Sequence, residues 1–532
     1  MPLSLQFHAK LGVTPGSAMS DAPPNSPNAP VTEPYGIKPI LDWLALPASA
    51  DPLQDLHHLR SHLLAMAEML LTPQQRHQLL GQIYDRTTAA IGALLPTLCE
   101  AGLPLPRRVR SLVKSTQDLL DRLVQEQLAT LDDPQEKYLV KGLCPQPAQT
   151  LWRCQHLLYR HLLISALAAA PAGVGIWERI HRTFAIAQER GLSRETPSSA
   201  PTSIVQEYGN ALLLGCAQPA SFTSDELLFV ADITRRHGHL MEFAGADDEG
   251  HHSLFWIDPT RDASAVALNR RVPPPETPVN WFSCDRLAAH LQDLLGKLER
   301  GRTPRPLDLP DFAATLAGKS VLRRLIRFWG TPARRRFNRR RQNYRATLCS
   351  GLEQLWRLLR AADASAADTS NWMITNESPD GYALMHLSGP PGDLQVGDVV
   401  ALRPEREEGL ATTTHSPLDW QVCLVRWAQS ENPEHLEIGL QILAPHALPA
   451  TIVAPQRETN QHLAALLLPQ IPNLRSAEAL AVPAGNLRQN EGPLVLLTER
   501  NNLEVREVHT ATLEEQTGSV EVFAITPDIS PY

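Results

Sequence analysis

The sequence predicts an α+β protein of several domains, helical in its N-terminal part and β-rich in its C-terminal part. Three observations carry this. Apolar residues recur at helical spacing from Asp51 to about Leu192. From Trp372 onward, short strand-like runs alternate with turn residues. The 532 residues are too many for a single core and imply three or more domains.

Residues 1–50 read as a disordered tail, with no long apolar run and much Ser, Ala, Pro and Asn up to Pro34, unlike a signal or transit sequence. Residues 51–200 read as a helical bundle. Leu53, Leu56, Leu59, Leu63 and Leu70 form one stripe, Thr72-Pro73 offers a cap and an N1 proline, and further helices are expected near 106–131, 147–170 and 174–191. The large-small spacing of Trp177–Ala187 resembles a tetratricopeptide helix, but no second copy occurs at that period. Residues 201–300 read as a mixed α/β segment: a helix capped at Thr223, β-like runs at 252–257 and 263–268 around an Asp-Pro-Thr turn, and a helix near 283–300. Residues 301–333 read as a linker followed by an amphipathic helix near 312–329. Residues 334–450 are expected to fold as a β domain, and residues 451–532, with runs at 463–468, 494–498 and 520–525, as a second, small one.

Two stretches of residues 334–450 carry the chemistry. The first, Arg334 to Arg345, is dense in arginine, and no Asp or Glu occurs between Asp311 and Glu353, so it reads as unneutralised positive charge. The second, Trp372 to Leu384, has two apolar runs joined by Asn376, Glu377, Ser378, Pro379, Asp380 and Gly381, the pattern of a β-hairpin with a polar tip. Arginine forks donate bidentately to phosphate oxygens and to the O6/N7 edge of guanine. Asn376 and Ser378 add compact donors and acceptors, and Gly381 is expected to supply a backbone conformation denied to other residues. This chemistry suits a phosphorylated guanine nucleotide and needs no catalytic group.

Arg341-x-x-x-Arg345 followed by Asn376-x-Ser378-x-x-Gly381 resembles the two-part signature of PilZ domains, receptors for the bacterial messenger cyclic di-GMP, a family that accepts Asp or Asn at the first turn position. Leu394–Leu402 and Trp420–Trp427 resemble middle strands of that domain, and Leu436–Gln441 its closing strand. The resemblance covers roughly residues 336–450 and implies a six-stranded antiparallel β-barrel with Arg340, Arg341, Arg345, Asn376, Ser378 and Gly381 as the ligand-binding residues. Tyr208–Pro219 and the following helix resemble parts of long bacterial proteins that end in such a domain. One departure stands out: Leu352–Arg360 has helical as much as strand spacing, so the first strand is expected to be short or irregular.

The net charge of −8 and pI near 6.2 argue against a general nucleic-acid coat and make the arginines a local feature. Seven scattered cysteines without a Cys-x-x-Cys pair fit a reducing cytoplasm. The pairs His57-His58 and His251-His252 do not aim two side chains in one direction, and His237 and His239 have no third ligand at zinc spacing, so no metal is assigned. No phosphate-binding loop, nucleophile elbow or metalloprotease helix is present, and Asp247-Asp248 and Glu407-Glu408 read as solvated charges. The expected protein is a cytoplasmic, non-enzymatic receptor that binds cyclic di-GMP, has no other cofactor and meets a protein partner through its helical region. The competing readings are a scaffold of the same fold that binds a protein without nucleotide, and a protein that contacts RNA or DNA backbone.

Overall fold

A computed structural model of the chain describes residues 37–49, 51–69, 71–131, 146–244, 253–334, 337–360, 368–390, 394–405, 420–432, 435–453, 462–471, 475–491, 493–499 and 502–527. The tail up to Pro34, Leu70, Cys144, Asp247-Asp248, His251-His252, Arg335, Arg336 and Glu407-Glu408 lie outside them.

Residues 37–330 share one continuous core. Eight helices come first: α1 (Ile37–Leu44), α2 (Pro52–Ala67), α3 (Pro73–Cys99), α4 (Arg107–Ala129), α5 (Pro147–Leu167), α6 (Ile176–Glu189), α7 (Ile204–Cys216) and α8 (Ser224–His237). An antiparallel sheet follows, with β1 (Glu242–Ala244), β2 (Leu254–Ile257), β3 (Val266–Ala267) and β4 (Asn280–Ser283) in the order β1-β4-β2-β3. Helices α9 (Asp285–Glu299) and α10 (Leu316–Gly330) complete the body. Local chemistry sets several helix starts. Thr72 and Gln75 form a capping box ahead of α3 with Pro73 in its first turn, and Ser203/Gln206 and Thr223/Glu226 do the same for α7 and α8. Helix α5 runs through the middle of the bundle, which is why its buried residues occupy every face.

One sequence expectation changes here. The tail does not extend to residue 50, because α1 forms and packs Ile40 into the core. The amphipathic helix expected near 312–329 forms as α10. Its Val321, Leu322, Leu325 and Trp329 are fully buried, and Trp329 Nε1 donates to the Leu213 carbonyl at 3.1 Å, so α10 belongs to the helical body.

Strands β5 (Arg340–Ser350), β6 (Thr369–Ser378), β7 (Gly381–Ser388), β8 (Val399–Pro404), β9 (Gln421–Asn432) and β10 (His435–Ala444) close into a barrel of order β10-β7-β6-β5-β8-β9. Inward Ala346, Leu348, Trp372, Ile374, Leu384, Leu402, Val425 and Ile438 fill it. The first strand is eleven residues long rather than short, but it is irregular: its pairing with β6 shifts register between Arg341 and Tyr344. The ambiguous segment after it is helix α11 (Leu352–Arg360), whose Leu352, Leu355, Leu358 and Leu359 bury one face at three- and four-residue spacing. The strand expected over 394–402 begins only at Val399, after a turn in which Gly397 has φ +96°. The C-terminal region is a second closed barrel: β11 (Leu448–Val453), β12 (His462–Leu468), β13 (Ala479–Pro483), β14 (Leu494–Glu499), β15 (Leu503–Gln516) and β16 (Val520–Pro527), in the order β11-β12-β13-β16-β15-β14.

The three bodies touch. Arg110 of α4 donates to Ser430 Oγ on β9 at 2.9 Å, and Ser430 N donates to the Ala169 carbonyl at 2.8 Å. Ser320 of α10 donates to the Gln516 carbonyl at 3.0 Å. The barrels are joined by Arg426–Glu515 and by Thr517 and Ser519, whose hydroxyls both donate to the Gly397 carbonyl at 2.9 Å. A layer of apolar residues between the barrels includes the buried face of α11, Val422 and Leu424 of β9, Leu466 and Leu468 of β12, and Val522 of β16. No helix among the described residues is long and apolar enough to cross a membrane. Cys99, Cys154, Cys216, Cys284, Cys349 and Cys423 are free thiols.

Candidate ligand-binding site

The segment between α10 and β5 is held on the small sheet's side of the molecule. Arg270 Nε donates to the Ala333 carbonyl at 3.2 Å, and Asn269 exchanges hydrogen bonds with the Pro332 carbonyl and the Arg334 side chain. Strand β5 then starts at Arg340. Arg341, Asn343 and Arg345 are exposed, whereas Gln342 and Tyr344 between them are half-buried, the alternation of a strand with one face on the barrel interior.

Strand pairing brings the two motifs together. Arg341 lies opposite Asn376 and Arg345 opposite Met373 on the neighbouring β6. A register shift between Ile374 and Asn376 breaks the alternation of β6. Beyond it, Asn376 pairs with Ala383 and Ser378 with Gly381, on the outer face, while Glu377 pairs with Tyr382 and turns toward the barrel mouth. Asn376, Ser378, Arg341 and Arg345 therefore share one outward surface. Arg340 is exposed too, but it sits opposite Glu377, on the other side of the strand.

Two sequence expectations are corrected at the hairpin. The arginines are not facing a surface without acid, because Glu377 lies across from Arg340 and accepts from Gln342 Nε2 at 3.2 Å and Tyr344 OH at 3.0 Å. The sequence places Glu377 only within the polar hairpin tip, and the strand register sets it opposite Arg340. Gly381 does not have a positive φ; its glycine requirement is steric, since a Cβ there would lie 2.0 Å from the Leu440 carbonyl oxygen on β10. Gly381→Ala is thus expected to overpack the β7–β10 contact and destabilise the ligand-free protein by about 1–3 kcal/mol, measured by chemical denaturation. An unchanged denaturation midpoint would contradict that reading.

The turn itself is Pro379-Asp380. Ser378 Oγ donates to Asp380 Oδ1 at 2.6 Å and lies 3.1 Å from the Gly381 carbonyl, and the Asp380 carbonyl accepts from Ile442 N at 2.9 Å. Ser378 thus has a role in closing the turn before any ligand arrives. Phe337, Asn338, Arg340, Gln342, Glu377, Ser378 and Pro379 line an open hollow of about 460 Å³ beside the tip, within the size range of small-molecule sites.

Comparison with known proteins agrees with this architecture. Residues 38–248 match the family described as the N-terminal domain of the cyclic-di-GMP receptor FimW, and residues 357–449 match its middle PilZ domain. The second match includes Asn376, Ser378 and Gly381 and begins after β5, so Arg341 and Arg345 are placed by strand register alone. The chain is 22% identical to the cyclic-di-GMP receptor FimW of Pseudomonas aeruginosa, across 84% of each chain. No solved structure matches. With a closed six-stranded barrel, the hairpin motif on its surface and a helical region in front of it that matches the same receptor, the chain belongs to the PilZ-domain family, in a long form with a helical N-terminal region.

Proposed function

We propose that this protein is a cytoplasmic receptor for cyclic di-GMP, with no catalytic activity, whose ligand sits on the outer face of the first barrel. The observation that carries the reading is the register of β5 on β6, which sets Arg341 opposite Asn376 with Arg345 on the same outward surface. Arg341 and Arg345 would take phosphate oxygens or a guanine O6/N7 edge, and Asn376 and Ser378 would add neutral hydrogen bonds beside the close backbone approach at Gly381. Arg340, on the side of the hollow, would supply long-range attraction for the dianion. The similarity to FimW, itself described as a cyclic-di-GMP receptor, supports the ligand class, and the free thiols fit a reducing compartment.

Coupling would run through residues 331–339. A ligand that draws this segment onto the hairpin competes with its bonds to Asn269 and Arg270, so it would shift the barrels against the helical body and change the surface offered to a protein partner.

Calorimetric titration of the full chain with cyclic di-GMP, GTP and cyclic di-AMP tests the ligand. Saturable binding of cyclic di-GMP in preference to the others is expected; a flat titration well into the tens of micromolar overturns the reading and leaves the scaffold. Ser378→Ala is expected to weaken binding by about 1 kcal/mol, since one neutral hydrogen bond is exchanged against water. A loss as large as that of an arginine would instead assign Ser378 a structural part in the turn.

A further inference from the structure

The helical body has a basic seam of its own. Arg153, His156 and Arg160 follow one another at three- and four-residue spacing on α5, so they share one stripe of that helix. Gly81 and Tyr84 of α3, three residues apart, lie against that stripe. The Arg153 guanidinium sits 5.3 Å from the Tyr84 ring centroid, and a Cβ on Gly81 would lie 3.0 Å from its Nη2, so the missing side chain gives it room. The His156 and Tyr84 rings are 6.1 Å apart, centroid to centroid. Burial raises the Tyr84 hydroxyl well above its ordinary value and Glu207 adds to the rise, while Arg153 and Arg160 oppose it. Both guanidiniums therefore converge on the same phenol.

Their donors are not matched by acceptors. Arg153 Nε and Nη1 and Arg160 Nε are buried without a hydrogen-bond partner, and neither arginine makes an ion pair among the described residues. The buried carboxylate nearby, Glu207, is engaged elsewhere: it accepts from Thr202 Oγ1 at 2.7 Å and lies 3.6 Å from His156 Nδ1. Asp85 is exposed and reaches Arg153 only through space. A guanidinium drawn out of water without acceptors is costly, and an anion that supplies them recovers that cost. Arg153 and Arg160 are each half-buried rather than sealed, so an anion from solvent can meet them.

We propose that the seam between α3 and α5 binds a phosphate group, held by Arg153 and Arg160 beside Tyr84. The proposal does not depend on the cyclic di-GMP reading, and no residue of the first barrel takes part. Two guanidinium forks present more N–H donors than the two oxygens of a carboxylate can accept in parallel, whereas a phosphate offers three or four oxygens and carries up to two charges. The Tyr84 hydroxyl is placed to donate a further bond. Inorganic phosphate and the phosphate of a small monoester share this chemistry. Bound there, the group joins two helices of the bundle and gives the helical body a ligand of its own.

The test titrates the full chain with inorganic phosphate, glucose 6-phosphate and citrate at constant ionic strength, by calorimetry and by thermal denaturation. Saturable binding and a rising thermal midpoint are expected with the two phosphates and not with citrate. Tighter binding of glucose 6-phosphate than of phosphate would identify a monoester site; equal affinity would identify a free phosphate site. Arg153→Gln and Arg160→Gln should each weaken phosphate binding about 10- to 150-fold, the range of a hydrogen bond to a charged group, while cyclic di-GMP binding stays within a few-fold of the original. If either glutamine variant fails to fold, Arg153→Lys and Arg160→Lys decide the matter, since they keep the charge, lose the fork and should still weaken phosphate binding at least several-fold. Citrate binding as tightly as phosphate, no saturable response to either phosphate, or a response kept in both arginine variants and lost in Arg341→Ala would each overturn the site in the helical body.

Discussion

Arg341→Ala and Arg345→Ala are each expected to weaken cyclic di-GMP binding by about 2–4 kcal/mol, roughly 30- to 1,000-fold. Both side chains are exposed and have no carboxylate partner among the described residues. Their removal therefore takes away charge-assisted, potentially bidentate contacts to the ligand and leaves no buried group unpaired in the free protein. The thermal midpoint without ligand should stay nearly constant, or rise as like charges along 334–345 are thinned. Calorimetry and thermal denaturation on the same preparations separate these effects. A sharp fall in the ligand-free midpoint with affinity retained would make the two arginines structural.

Arg324→Ala should behave in the opposite way, costing about 3–5 kcal/mol of stability. Arg324 belongs to the same basic stretch of sequence and reads there as a neutral control for the motif arginines, but its side chain is 16% exposed and its partner Glu226 only 6%. It donates to the Ser221 carbonyl at 2.6 Å, and its guanidinium lies 4.3 Å from the Phe222 ring centroid. Burial raises the Glu226 carboxyl above its ordinary range, with the adjacent Arg324 opposing that rise. Glu226 Oε2 also accepts from Thr223 N at 3.0 Å in the capping box of α8. Without the guanidinium, an ionised Glu226 is left uncompensated at the start of a core helix. The sign with pH follows. Because the folded-state pKa of Glu226 is raised, ionisation opposes folding, so the variant's deficit should be largest near neutral pH. It should shrink as acidification protonates Glu226. Urea denaturation at neutral and mildly acidic pH measures this, and a pH-independent deficit would locate the loss in packing against Phe222. Arg323, half-exposed and paired with Glu299, is expected to show a much smaller loss of stability.

Much of this architecture is legible in the sequence. Caps at Thr72 and Thr223, the stripe of Leu56, Leu59 and Leu63 on α2 and the Asn-x-Ser-x-x-Gly turn are local patterns, set by interactions within a few residues. What could not be read depends on contacts between distant segments. The helix at 352–360 has a hydrophobic face suited to either period, and it is helical because that face covers the layer between two barrels. Glu377 is adjacent to the motif in sequence, yet the broken alternation beside it sends it to the opposite side of the strand from Asn376 and Ser378. Gly381 has the residue type expected of a flexible turn, but the constraint comes from the Leu440 carbonyl sixty residues away. Arg324 shows the same limit: its charge is visible in the sequence, and its burial is not.

The apolar layer between the barrels bears on how the protein can be divided. Residues 334–450 have their own closed barrel and resemble a free-standing module. Cutting the chain after Val453 would nevertheless uncover the outward Val422 and Leu424 and the buried face of α11, which Leu466, Leu468 and Val522 now cover. A fragment chosen by domain boundaries would then carry a sticky flank beside its ligand surface and would be prone to self-association. In mechanical terms the two barrels form a single lever: only three residues separate β10 from β11, and the packed layer resists bending at that joint. A displacement started at the first barrel would reach the far side of the second with little loss.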